Sequence, residues 1–435
     1  MSSPGSSVAV QRIEDSSASL GTKSFFPWLI NPVSKEEFFN EYWENQPLVV
    51  KRSEPNFFGS LLTLDDVDRI ISTLDLRYPD ITLVNADRDI TPDQYTVRGG
   101  SLDVAKIYEL FGQGCTIILA HLHTLLPALT SFCRGMEREF SVPFQTNVYV
   151  TPANAKGFKP HYDTHDVFIL QVLHSKRWKI YGTPVKLPLK AQEFNSSIHE
   201  LGDPKLEFEL NAGDIAYIPR GVVHEARSTE DVSLHVTVGV LSYTWTDLLL
   251  ELVADKSLND FAFRQVLPVG FARQGYDKAE ARDICLNLLQ KLLANPNFDV
   301  VLDRFIDELT CACPPLLLGQ MHQMAALDHI ALNSVVGARA ETVFHLREAA
   351  ESVSIECYGR KISFPSYAGE AVRFALTNAE FTVRDLPGGL DDPGKLVLVR
   401  RLIREGLVMR HENSRFLQVA GSDRTVHNSA KRKKP

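Results

Sequence analysis

From Gln145 to Val240 the chain falls into short runs of alternating apolar and polar residues separated by tight turns. Successive side chains on a strand point to opposite faces, so each such run offers one face to a core and keeps the other for different work. Asn147-Val-Tyr-Val-Thr, Asp166 to Leu173, Lys176 to Tyr181, Leu206-Glu-Phe-Glu-Leu, Ile215 to Ile218 and Ser233 to Val240 are runs of this kind. Many short strands joined by turn residues predict an antiparallel barrel or sandwich. In the last run Leu234, Val236, Val238 and Val240 share one face, while His235, Thr237 and Gly239 share the other. A hairpin is predicted around His174-Ser175.

Within this region the polar residues form a pattern of their own. In Lys159-Pro-His-Tyr-Asp, His161 and Asp163 stand two apart, so on an extended strand an imidazole and a carboxylate project to the same side. A third group, His224, follows 61 positions after Asp163 (224 minus 163), in Gly213-Asp-Ile-Ala-Tyr-Ile-Pro-Arg-Gly-Val-Val-His. There Gly213 and Asp214 start a strand, and Pro219 to Gly221 bend the chain so that His224 faces inward. Two imidazoles and one carboxylate on one face, with the other positions open, are what a non-haem Fe(II) oxygenase requires of its protein. His161, Asp163 and His224 are therefore the predicted metal ligands; the competing reading is three unrelated polar residues. His165 lies on the same face, but four residues of strand put its Cα roughly 13 Å from that of His161. It reads as a pocket wall or as support for the ligands, and Asp166 reads as pointing away.

Iron of this kind needs an electron-rich cosubstrate. A 2-oxo acid chelates through its ketone and adjacent carboxylate, and its far carboxylate then needs a cation deep in the barrel. Lys176, starting a strand expected to pair back on the ligand strand, is the best-placed cation. An exposed hairpin lysine, flanked by Arg177 and Lys179, is the alternative. Asn147, Tyr149 and Thr237 are barrel-strand polar residues able to hydrogen-bond cosubstrate or substrate.

At 435 residues the chain is too long for one ordinary domain. Residues 1–22, rich in Ser and Gly, read as a mobile tail without a secretory signal's basic start and apolar core. Capped helices are predicted at Ser34-Lys-Glu-Glu-Phe, Thr63-Leu-Asp-Asp-Val and Ser101-Leu-Asp-Val-Ala-Lys-Ile-Tyr-Glu-Leu-Phe, with an amphipathic helix from Leu125 to Phe140. After Trp245 a helical pattern runs to about Ile330, suited to a subunit interface or to a cover over the barrel. A third pattern from about Ala340 has strands, helices and a two-strand wing from Gly406 and Arg415, which is a DNA-reader layout. Its last helix carries Lys395, Arg400, Arg401 and Arg404, a stripe that also suits a solvated face. The net charge of −8 argues against bulk nucleic-acid binding, and the basic Lys431-Arg-Lys-Lys reads as a solvated end. No apolar run reaches the length of about eighteen residues that would span a membrane. Six scattered cysteines suit reduced thiols in a cytoplasmic protein, and Cys311-Ala-Cys313 lacks the second pair a zinc finger needs.

Tyr42-Trp-Glu-Asn-Gln-Pro-Leu-Val-Val, Asn147-Val-Tyr-Val-Thr-Pro, Gly157-Phe-Lys-Pro-His-Tyr-Asp, Val167-Phe-Ile-Leu-Gln, Lys176-Arg-Trp-Lys-Ile-Tyr and Gly213-Asp-Ile-Ala-Tyr-Ile-Pro-Arg-Gly resemble the cupin-like JmjC ribosomal oxygenases. The resemblance covers roughly Phe25 to Trp245. It implies an α+β multidomain protein: a double-stranded β-helix (jelly-roll, cupin) JmjC barrel with a helical N-terminal cover, a helical dimerisation segment and a C-terminal winged-helix domain. The implied boundaries are a tail at 1–22, the catalytic domain at 23–245, dimerisation at 246–336, the winged helix at 337–423 and a basic tail at 424–435.

The implied activity is Fe(II)- and 2-oxoglutarate-dependent hydroxylation of a ribosomal protein side chain by a homodimer. Iron ligands carry over to His161, Asp163 and His224, the cosubstrate lysine to Lys176 and the barrel asparagine to Asn147. One position departs. Where the family pattern runs His-Val-Thr-Ile-Ser, this chain has His235-Val-Thr-Val-Gly, so Thr237 or a water is left to replace a serine hydroxyl. The rival readings are a JmjC-type lysine demethylase and a ligand-sensing cupin regulator that binds DNA.

Overall fold

The computed structural model describes residues 24–340 and 342–411, together with the backbone of Val10–Arg12. The chain divides into two units, residues 1–313 and 314–435. In the first, eleven strands follow in order: β1 Val10–Arg12, β2 Leu48–Lys51, β3 Ile81–Val84, β4 Thr116–Leu119, β5 Phe144–Thr151, β6 Asp166–Leu173, β7 Ser175–Ile180, β8 Leu206–Asn211, β9 Ile215–Ile218, β10 His224–Ser228 and β11 Ser233–Val240. They form an eight-stranded sheet, ordered β1-β2-β9-β6-β11-β5-β4-β3, and a three-stranded sheet, ordered β10-β7-β8. The parallel pairing of β1 with β2 corrects the expectation of a wholly mobile tail; the rest of that tail lies outside the described residues.

The alternation read in β11 divides the cores. Leu234, Val236, Val238 and Val240 are fully buried beneath N-terminal helices that bring Phe26, Leu29, Phe38 and Phe132 to the same cluster. On the opposite face of the large sheet, Val167, Ile169, Ala216 and Ile218 pack with Trp178, Ile180 and Leu210 of the small sheet. β6 is buried on both faces, which is why Val167 to Leu170 is continuously apolar. Burial of these side chains supplies the main driving force for closing the barrel, at about 25 cal/mol per Å² of apolar surface.

The expected hairpin at His174 is a corner instead. β6 pairs with β9 and β11, whereas β7 pairs with β8 and β10, so the chain leaves one sheet and enters the other. His174 makes the corner in the left-handed region, with φ of 49°. Lys176 therefore does not pair back on β6; it sits opposite Ser228, on the strand that begins with His224.

The caps at Ser34 and Thr63 fall where the sequence puts them, whereas the helix expected from Ser101 begins at Val104, because Ser101 and Leu102 are taken up in β-bridges. Ser34 accepts a hydrogen bond from Glu37 N–H, Thr63 and Asp66 form a reciprocal capping box, and Asp103 caps Val104–Gly112. Trp245–Asn259, Ala279–Ala294 and Phe298–Ala312 complete the first unit.

The second unit has its own core, with Val336, Ile355, Val372, Leu402, Ile403 and Val408 all fully buried. It contains one antiparallel sheet of His345–Glu348, Ser352–Cys357 and Arg360–Pro365, and another in which Val335–Ala338 lies between Phe381–Thr382 and Val408–Arg410. The strand after Gly406 thus pairs with Val335–Ala338. The second strand of the predicted wing, from Arg415, and the basic Lys431 segment lie outside the described residues.

Candidate metal centre

His161 and His224 face each other across an isolated antiparallel bridge, exchanging backbone hydrogen bonds of 3.1 and 2.8 Å. His161 is not on a continuous strand, as the sequence suggested, because β6 begins only at Asp166. The bridge does the work a longer strand would have done. Each imidazole donates from Nδ1 to the backbone carbonyl two residues before it, His161 to Lys159 at 2.9 Å and His224 to Val222 at 3.1 Å. That bond fixes the tautomer and turns both Nε2 lone pairs toward Asp163. Asp163 carboxylate oxygens lie 4.0 Å from His161 Nε2 and 3.7 Å from His224 Nε2. One ligand atom from each of the three lies within 4.8 Å of the other two. Burial, and then the neighbouring His161, push the His224 imidazole down to about 4, so it is neutral and able to ligate at physiological pH.

The bend that delivers His224 depends on Gly221. Its φ is 85°, and a Cβ there would stand 2.1 Å from the carbonyl oxygen of Val185. The same bend is held by Arg220, which is buried and donates to both Asp166 and Glu44, while Tyr217 O–H donates to Asp166 at 2.8 Å. Asp166 does point away from the three ligands, as the sequence implied.

The triad opens a cavity of about 250 Å³. Among its lining residues His161 and Asp163 are half-exposed, and Lys176 is buried. Lys176 Nζ donates to Thr151 Oγ1 at 3.1 Å, and Thr116 Oγ1 donates to Thr151 Oγ1 at 3.2 Å. No carboxylate pairs with it among the described residues, and burial lowers its ammonium to about 7. A closed circuit of rings lines the walls. His161–His224, His224–Trp178, Trp178–His235, His235–Tyr149, Tyr149–Phe158 and Phe158–His161 have centroid separations of 4.8, 6.0, 5.7, 4.7, 6.3 and 5.4 Å.

Lys176, Tyr149 and Thr237 line this cavity with the triad. Asn147 is not among its lining residues: its carboxamide accepts from His121 N–H at 3.2 Å and hydrogen-bonds Tyr149. His165 packs on Gly239, where an added Cβ would lie 2.8 Å from its Cδ2 and 2.9 Å from its Nε2. The glycine that breaks the resemblance is thus what makes room for this imidazole. Sequence reasoning missed Trp178, His235, Thr116, Thr151 and Phe158. The period of two would have found the first two, since Trp178 shares a face with Lys176 and His235 with Thr237.

The chemistry of the donor set fits a metal ion joined to an anionic ligand: three convergent N and O ligand atoms, and in the same cavity a buried ammonium with no carboxylate partner among the described residues. Residues 119–248 match the family model described as the JmjC domain. Residues 119–248 are thus similar to the JmjC domain. Curated relatives include the "Bifunctional lysine-specific demethylase and histidyl-hydroxylase NO66" of Drosophila mojavensis, 33% identical over 290 residues covering 62% of this chain and 32% of the relative. "Ribosomal oxygenase 1" of Gallus gallus is 29% identical over 345 residues, covering 74% of this chain and 56% of the relative. The chain therefore spans between about a third and just over half the length of these two relatives. Among solved structures, the Escherichia coli ribosomal oxygenase YcfD in complex with cobalt and succinic acid superposes with a TM-score of 0.53 at 16% identity, covering 88% of this chain and 99% of that one. That likeness extends the shared fold beyond the JmjC domain itself.

Proposed function

We propose that this protein is an Fe(II)- and 2-oxoglutarate-dependent dioxygenase that hydroxylates a side chain of a ribosomal protein. The observation that carries the proposal is one cavity lined by both a two-histidine, one-carboxylate cluster and a buried lysine with no carboxylate partner among the described residues. When bound, iron and 2-oxoglutarate supply the oxidation: one atom of dioxygen enters the 2-oxo acid, which leaves as succinate and carbon dioxide, and the other converts a substrate C–H bond to C–OH. His161, Asp163 and His224 hold the ion and leave its remaining positions open. Lys176 anchors the far carboxylate, with Tyr149 and Thr237 along the wall, and Asn147 orients Tyr149. The aromatic walls keep water from the reacting centre.

Intact-mass comparison of ribosomal proteins from cells with and without this gene tests the substrate class. A gain of one oxygen on one protein is expected. Unchanged masses would overturn the ribosomal assignment, and a lost methyl group would select the demethylase activity that the names of several relatives include.

Lys176 gives cosubstrate binding a pH dependence. A carboxylate bound beside it favours the ammonium and raises its pKa. Below about 7 the lysine is charged both before and after binding, so affinity is level. Above that value the site must take up a proton, and 2-oxoglutarate affinity falls by up to about tenfold per pH unit. Calorimetry in buffers of different ionisation heat should show proton uptake growing as pH rises from about 6 to about 9. A constant Kd over that range would contradict the anchor.

We further propose a homodimer and a cytoplasmic location. The helices after β11 expose Trp245, Leu249, Leu250, Leu289 and Leu293, apolar area that a second copy would cover. All six cysteines are free, which suits a reducing compartment. No helix among the described residues is long and apolar enough to cross a membrane. Leu289→Lys with Leu293→Lys should halve the mass measured by light scattering; an unchanged mass would refute that interface.

The second unit reads as a winged-helix-like domain, but three of the four cations on its last helix are engaged within the chain. Lys395 donates to the Arg384 carbonyl at 2.7 Å, Arg400 to the Ile330 carbonyl at 3.0 Å, and Arg401 pairs with Glu405 at 2.7 Å. Duplex binding that weakens steeply with added salt would overturn this reading and favour the DNA-binding regulator.

A further inference from the structure

Gly239 lies one rung beyond the residues that line the metal cavity. On β11 it shares a face with Thr237, and across the sheet it pairs with Val167 of β6 and Gln145 of β5; Thr237 and Val167 both line that cavity. A side chain at this position would project to the same side as Thr237, from the cavity face of the sheet. The space is already taken. A Cβ there would stand 2.8 Å from His165 Cδ2, 2.9 Å from His165 Nε2 and 3.3 Å from Gln145 Cγ. The His165 imidazole therefore lies on the cavity face, reaching from just before β6 into the room that a hydroxymethyl group on residue 239 would hold. A serine on β11 and this imidazole exclude each other, so the departure from the family pattern is an exchange of one polar group for another rather than a loss.

Packing alone does not call for an imidazole at this place. His165 is half-exposed and lines a second cavity of about 430 Å³ together with Thr164, Leu189, Leu241 and Thr244. No hydrogen bond from the described residues reaches its ring. Its neighbours are engaged elsewhere. Gln145 Oε1 lies 3.2 Å from His121 Nε2, and Asp166 and Arg220, the buried charges of the second cavity, pair with each other. Asp163, two residues earlier in the chain, lines the metal cavity, so His165 stands between that cavity and the second one.

We propose that His165 is a specificity-determining residue, whose imidazole, seated on Gly239, hydrogen-bonds the protein side chain presented to the metal. This rests on the dioxygenase reading above. Imidazole nitrogens serve as donor and as acceptor. The ring favours a side chain with a matching polar group and disfavours one that strips its water and leaves it unpaired. Gly239 acts through His165: having no Cβ, it lets the ring lie flat against the strand.

His165→Phe keeps a ring and removes both nitrogens, His165→Ala removes the ring, and His165→Ala with Gly239→Ser returns a hydroxyl from the neighbouring strand. The full-length Fe(II)-loaded protein and the three variants are given 2-oxoglutarate, dioxygen and ribosomal proteins from cells lacking this gene, and oxygen gain is followed by mass spectrometry. His165→Phe and His165→Ala should each lower kcat/KM for the ribosomal protein about tenfold. The double variant should recover about threefold or more over His165→Ala. Affinities for Fe(II) and for 2-oxoglutarate should stay within about twofold throughout, since His165 holds neither. An unaltered rate for His165→Phe makes the ring mere packing and overturns the assignment, as does a double variant no faster than His165→Ala. A loss matched by weaker Fe(II) binding makes His165 a support of the metal and overturns it too. No oxygen gain with the unaltered protein overturns the ribosomal-substrate reading and this one with it, whereas equal gain with the unaltered protein and His165→Phe overturns the role of His165 alone.

Discussion

Asp163→Ala is expected to lower 2-oxoglutarate turnover by more than about a hundredfold, since loss of a mere supporting partner of a metal ligand already costs 10–100-fold. The carboxylate is half-exposed, and its contacts are with the two imidazoles it faces, at 3.7 and 4.0 Å. Its backbone carbonyl, which accepts from Gly221 N–H at 3.0 Å, is untouched by the substitution. The metal-free variant should therefore melt at or near the temperature of the unaltered protein. Near-normal succinate release by a folded Asp163→Ala protein would remove the basis for the metal assignment.

Asp166→Ala, three residues along, should do the reverse. Asp166 is fully buried, and its carboxylate accepts from Arg220 at 2.5 Å and from Tyr217 O–H at 2.8 Å. Its removal leaves a guanidinium that is 8% exposed in the native chain with Glu44 as its one remaining side-chain partner among the described residues. Breaking a buried pair from one side costs about 3–5 kcal/mol, so a fall in Tm on the order of 10 °C is expected. The exposed pair Arg177–Glu209, at a similar 2.9 Å, should be worth less than about 1 kcal/mol. Because Arg220 lies in the bend leading to His224, Fe(II) affinity should fall too. A Tm within a degree or two of the unaltered protein would show that the barrel does not depend on this pair.

The contrast between these neighbours marks how far the sequence could be read. The alternation of β11 separated Leu234, Val236, Val238 and Val240 from the cavity face, because a two-residue period survives wherever one face is a core. The residue types of His161, Asp163 and His224 marked a ligand set, yet their convergence comes from the short bridge between His161 and His224, which is a tertiary event with no local pattern. The corner at His174 was misread as a hairpin because one left-handed residue can turn a strand within a sheet or into the facing one. Trp178 and His235 were passed over since an inward aromatic residue reads as ordinary packing. Gly239 stood out by its mismatch, but that His165 fills the space it frees could be seen only once β6 lay beside β11.

Anaerobic titration of the purified chain with Fe(II), followed by 2-oxoglutarate, bears most directly on the metal centre. One ion per chain should bind, Asp163→Ala and His224→Ala should each abolish that binding at comparable concentrations, and 2-oxoglutarate should bind tightly only once iron is present. Iron held as well by both variants, or 2-oxoglutarate binding that ignores the metal, would contradict a centre built from His161, Asp163 and His224.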